Sequence, residues 1–220
     1  NRYAQTGCSL VDQEDFATPS GWTHAGPQQN VNISGGAMVW GHAAGNLYDR
    51  WWRPLALPLS DSCFTASFTV TVNANPTDAG ASANLFALCA GTLDPLSYDQ
   101  SQNFALTDQD GVVVLLNGDG IHDNNIESWF FEVREKDGDQ EYVSDPIEDI
   151  YLQQAINTYY LVIRRVSSTV LDLEVFLDAD HIQTLGTREI GIPSTIQGLT
   201  TLQAGVTTYA YVSRQFKGTV

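Results

Sequence analysis

Side chains alternate between apolar and polar along residues 64–72 with almost no exception: Phe64, Ala66, Phe68, Val70 and Val72 take turns with Thr65, Ser67, Thr69 and Thr71. In an extended chain successive side chains point to opposite faces, so this pattern makes one face dry and the other wet. Threonine is itself a strand former. The template recurs at 169–178, where Leu171, Leu173, Val175 and Leu177 oppose Asp172, Glu174 and Phe176. Further short strands are expected at 37–40, 84–90, 111–117, 128–135, 141–144, 159–166, 180–185, 200–204 and 208–216.

Between these runs lie NANPTDAGA, NGDGIHDNN, KDGD and the tight Asp178–Asp180 step, all rich in residues that preset turns. KDGD, flanked by VRE and QEYV, reads as a hairpin. One short helix is expected in 145–156, with Asp145 as N-cap, Pro146 at the first helical position, and Glu148 and Asp149 in the first turn. Many strands at regular spacing without helices between them exclude a parallel sheet and point to an antiparallel sandwich or barrel. With no repeat, linker or break in composition, residues 1–220 read as a single domain.

The chain has 26 acidic and 10 basic residues, for a net charge of -16. Such a field repels phosphate backbones and anionic membranes, which removes nucleic acid as a partner. No stretch reaches the ~20 apolar residues that span a bilayer. The start, NRYAQTGCSL, lacks the basic and apolar regions of a signal peptide and reads as a mature terminus exposed by processing. Cys8, Cys63 and Cys89 match no zinc spacing. A Cys63–Cys89 disulfide, a Cys8–Cys63 disulfide and three separate thiols all remain open.

The run YYLVIRRVSSTVLDLEVFLDADHIQTL at 159–185 resembles the central hairpins of laminin-G-like, or concanavalin A-like, domains. LALPLSDSCFTASFTVTV at 55–72 is similar to the strand after the first turn of that superfamily, and FKGTV at 216–220 resembles its closing strand. The resemblance implies an all-β, two-sheet antiparallel β-sandwich of the jelly-roll type. It also implies an extracellular setting and a polysaccharide partner, bound or cleaved. Fold alone does not choose among lectin-like modules, structural or adhesive subunits that bind copies of themselves or other extracellular proteins, and polysaccharide-active enzymes.

Catalysis would need paired carboxylates on one strand face. The nearest match is the segment from Glu132 to Glu141, with Glu135, Asp137 and Asp139, and a second acidic pair is Asp172 with Glu174. No G-x-S-x-G elbow is present. Asp108, Asp110, Asn117, Asp119 and Asp123 bracket the strand GVVVLLN with hard oxygen ligands, a set suited to structural calcium. Sugar recognition instead needs aromatic faces beside planar polar groups. NLYDRWWRP offers Tyr48, Arg50, Trp51 and Trp52 together, with Tyr98 and Trp129 as further candidates. If that segment is extended, Trp51 and Trp52 point to opposite faces and one of them stays at least half exposed. Arg53, Arg164 and Arg165 read as packing or ion-pair residues among so many acids.

Overall fold

The computed structural model describes residues 16–25, 31–41, 47–48, 50–72, 82–90, 110–118, 129–137, 140–143, 150–153, 157–204, 207–209 and 217–219. These contain β1 (Thr23–Ala25), β2 (Val31–Ser34), β3 (Ala37–Gly41), β4 (Leu47–Tyr48), β5 (Arg50–Pro54), β6 (Phe64–Val72), β7 (Ser82–Ala90), β8 (Gly111–Gly118) and β9 (Trp129–Asp137). They continue through β10 (Gln140–Val143), β11 (Ile150–Tyr151), β12 (Thr158–Ser167), β13 (Val170–Phe176), β14 (Thr184–Gly191), β15 (Leu199–Ala204), β16 (Thr207–Tyr209) and β17 (Lys217–Thr219).

The larger sheet has ten strands and runs β1-β5-β15-β7-β8-β9-β10, with β11, β4 and β16 attached; the smaller has seven and runs β14-β13-β12-β6-β17-β3-β2. Every pairing is antiparallel. One core lies between the sheets, and alternation supplies it as expected. Phe64, Val70 and Val72 of β6 and Leu171, Leu173 and Val175 of β13 meet Phe86, Leu88, Val112, Val114, Phe131 and Val133 of the larger sheet. Phe68 stacks on Phe86 across the layers, with ring centres 3.4 Å apart. Burial of these rows, at about 25 cal/mol per Å² of apolar surface, is what holds the layers face to face.

Most expected strands are present, and KDGD does join a hairpin in which Gln140 pairs with Asp137. Three expectations need correction. Of the helix expected in 145–156, residues 145–149 and 154–156 lie outside the described residues, and between them Ile150 and Tyr151 form a strand that pairs with Phe131 and Phe130 of β9. Ile150 and Leu152 are buried around an exposed Tyr151, which is strand periodicity. This segment closes the sandwich edge against β14, where a Cβ on Gly186 would stand 3.1 Å from two carbons of Ile150. Next, the return strand expected at 180–185 starts only at Thr184 and runs to Gly191. The Asp178 carboxylate accepts hydrogen bonds from the backbone N–H groups of Ile182 and Gln183, which holds the preceding residues in a compact loop. Finally, Cys63 and Cys89 do not pair. Cys63 stands just before β6 of the smaller sheet and Cys89 in β7 of the larger: Cys63 is disulfide-bonded, whereas Cys89 is a buried thiol outside any disulfide. Cys8 lies outside the described residues.

Candidate functional site

Aromatic side chains gather where β1 meets β5 at the edge of the larger sheet. The chain enters through a turn in which the N–H of Trp22 bonds to the carbonyl of Pro19 at 3.1 Å. Gly21 has φ +83°, the left-handed value that the third residue of a type II turn requires. That turn delivers Trp22 to the core, with the Phe16 ring stacked on it at 5.6 Å. Phe16 itself holds φ +51°, an uncommon conformation for a bulky residue. The Arg53 guanidinium stands 5.6 Å from the Trp22 ring centre, within cation–π reach. His24 is the direct cross-strand neighbour of Trp51, and their rings meet at 4.6 Å with a 49° tilt. Phe16, His24, Trp51 and Arg53 are half-buried, so the cluster reaches solvent.

Trp51 and Trp52 do take opposite faces. Trp51 packs against the inter-sheet core, whereas Trp52 pairs with Gln203, which pairs in turn with Ala87. Ala87 belongs with Cys89, Val113 and Leu115 to a second apolar cluster, on the side of the sheet away from the core. This outer face is itself buried: Trp52 is 7% exposed and Gln203 1%. The Gln203 carboxamide has no hydrogen-bond partner at either its nitrogen or its oxygen. Two such orphaned groups each cost about 1–3 kcal/mol relative to bonded ones.

Of the other expected site residues, Tyr48 pairs with Thr207, Arg50 with Ala25 and Trp129 with Gly118 through the backbone. Tyr98 lies outside the described residues, as do Asp108, Asp119 and Asp123. Asp110 and Asn117 stand just before and near the end of β8. At roughly 3.3 Å per residue they are about 23 Å apart, too far for one ion. No group of three His, Cys, Asp or Glu side chains suited to a metal occurs among the described residues.

Of the acidic segment, Asp139 lies outside the described residues, and Glu132 and Glu135 are placed apart. Glu132 is in register with Leu115 of the outer cluster, while Glu135 is in register with Val112 of the core, so the two carboxylates leave the sheet on opposite sides. Glu135 is 1% exposed. Burial, reinforced by the nearby Glu132, pushes its pKa up to about 8 against an opposing bond from its own backbone N–H. On the smaller sheet, Glu174 is engaged by the Arg164 guanidinium at 3.1 Å.

No family model matches this sequence, nor does any curated protein. Solved structures do share its fold. The legume lectin-like domain from Entamoeba histolytica is similar over 96% of each chain, at 14% identity and a TM-score of 0.59. The CBM2 module of the evolved Dit of Lactobacillus casei BL23 phage J-1 covers 93% of this chain, and 91% of that chain is covered, at 12% identity and a TM-score of 0.57. The exoplasmic/lumenal domain of VIP36, solved with Ca2+ and Man3GlcNAc bound, is similar over 96% of this chain and 89% of its own, at 10% identity and a TM-score of 0.57. The fold is thus a concanavalin A-like jelly roll, as the sequence resemblance implied.

Proposed function

We propose that this chain is a non-catalytic glycan-binding module of a secreted or lumenal protein, and that its sugar platform is the β1–β5 edge. The observation that carries this reading is the half-buried Trp51 ring against His24, with Arg53, Trp22 and Phe16 beside it. A pyranose has an apolar face that stacks on an aromatic ring and a rim of hydroxyls that bond to imidazole and guanidinium groups. Structures with this fold include lectin-like domains, which supports the substrate class. The disulfide at Cys63 suits an oxidising compartment. Glu132 and Glu135 leave opposite faces of the sheet, which supports a non-catalytic role.

Affinity gels cast with neutral polysaccharides test the reading. Trp51→Ala should weaken retention about tenfold or more with the melting temperature nearly kept, because Trp51 is only half-buried. Trp52→Ala should instead lower the melting temperature, since that ring is buried. Retention unchanged by Trp51→Ala would remove the platform.

A further inference from the structure

A second aromatic surface lies on the other sheet. Tyr160 of β12 and Phe176 of β13 are direct cross-strand partners on the solvent side of the smaller sheet. His181, from the loop between β13 and β14, folds back so that its ring stacks on Phe176 at 4.8 Å and 22°, and stands 6.3 Å from Tyr160. The loop is fixed rather than draped. Asp178 takes the N–H groups of Ile182 and Gln183 on its carboxylate, and its carbonyl accepts the N–H of His181 at 3.1 Å. Leu177 and Gln183 close the base with a 2.9 Å backbone bond. His181 sits at φ +56°, a left-handed conformation that costs a residue with a Cβ and that the loop nevertheless holds. The next residue, Ile182, is 78% exposed.

A latch serving only the fold would leave little of this in water, yet His181 is exposed and Tyr160 half-buried. Thr69 is in register with Tyr160 and Thr184 with Phe176, and Asp180 and Gln183 belong to the same loop as His181; all four are exposed and can bond hydroxyls. The nearby Arg164 is engaged by Glu174. An apolar centre with a hydroxyl-bonding rim of acidic and neutral groups fits an uncharged sugar and disfavours an anionic one.

The geometry points to the His181–Phe176–Tyr160 surface as a second contact site for neutral glycans, on the sheet opposite Trp51, making one chain bivalent. Two sites on one rigid body would let a single copy hold two strands of a polysaccharide, or one strand twice, with a gain in avidity that neither site supplies alone.

Calorimetric titration of the full chain with cellohexaose, mannohexaose and xylohexaose, with tryptophan fluorescence followed in parallel, tests this. The expected result is two equivalents bound per chain by at least one of the three. His181→Gly should reduce this to one, with the fluorescence response of the Trp51 site intact. Glycine keeps the backbone at φ +56° without strain, so the variant removes the imidazole and leaves the loop. Tyr160→Ala should give the same loss by a change outside the loop. One equivalent in the wild type, abolished by Trp51→Ala, would overturn the second site while the first stands. Two equivalents retained in both His181→Gly and Tyr160→Ala would also overturn it. Binding that vanishes with His181→Gly but ignores Trp51→Ala would keep the second site and remove the β1–β5 platform. No binding of any of the three hexasaccharides would remove both.

Discussion

The two sheets handle buried polar groups in different ways. Arg165 of the smaller sheet is fully buried, and its guanidinium donates to the carbonyls of Ser167, Ser168 and Ile196 at 3.2, 2.8 and 2.8 Å. On the same sheet Thr71 and Thr158 bond hydroxyl to hydroxyl at 3.2 Å, and Arg164 is paired with Glu174. The larger sheet buries Glu135 with one carboxyl oxygen unpartnered and Gln203 with its whole carboxamide unpartnered. Burial is nearly the same in the two cases, so the difference lies in the bonds. The buried polar side chain of the smaller sheet, Arg165, is bonded at all three guanidinium nitrogens, while Glu135 and Gln203 of the larger one carry polar capacity that the fold itself leaves unused.

The strongest way to break that contrast is to strip a polar group that is fully used. Arg165→Met should cost on the order of 3 kcal/mol or more in urea unfolding. Two carbonyls at the turn of the β12–β13 hairpin and that of Ile196 lose their donor, and the 192–198 segment loses its tie to β12. A loss below about 1 kcal/mol would show that the guanidinium is incidental and that the sheets do not differ as described.

Glu135 should give the next largest effect, and one with a sign. Its folded-state pKa, about 8, stands above the ordinary 4.5, so between those values the folded chain holds a proton that the unfolded chain has released. Its contribution to stability is therefore greatest below pH 4.5 and declines by about 1.4 kcal/mol for each pH unit as the pH rises toward 8. Glu135→Gln should flatten that part of the stability profile, and the gap between the variant and the wild type should widen from pH 5 to pH 8. Parallel profiles would mean that this carboxyl is hydrated and that the interior of the larger sheet is wetter than its packing implies.

Alternation made the sandwich legible before any coordinates, because it acts locally and the rows at Phe64–Val72 and Leu171–Val175 follow it closely. The same rule places Glu135 in line with Phe131 and Val133, so its burial was written in WFFEVRE, although the acidic character of the segment pointed instead to paired carboxylates. It also put Trp51 and Trp52 on opposite faces. Which face is wetter depends on what covers the sheet, a long-range property that alternation does not carry. The partners of Trp51 were hidden for the same reason, since His24 reaches it from 27 positions away through the β1–β5 register. The loop at 178–183 escaped because a single Asp carboxylate, rather than any periodic pattern, fixes its shape.

The smallest expected effect sharpens the contrast from the other side. If the Gln203 carboxamide is unused by the fold, replacing it with an apolar group of similar size should remove an unmet desolvation cost rather than a bond. Gln203→Leu, set between Trp52 and Ala87, should leave the chain as stable as before or raise its stability by about 1 kcal/mol in urea unfolding. A loss of that size would show that the amide is bonded in solution, by an ordered water or by a neighbouring strand, and the larger sheet would then be as complete as the smaller one. Gln203→Glu supplies the complement. An added carboxylate on this buried face, in a chain already at a net charge of -16, should destabilise strongly at pH 8 and less at pH 5, where the acid can stay neutral. The two substitutions together distinguish a dry face awaiting a polar partner from one that water already serves.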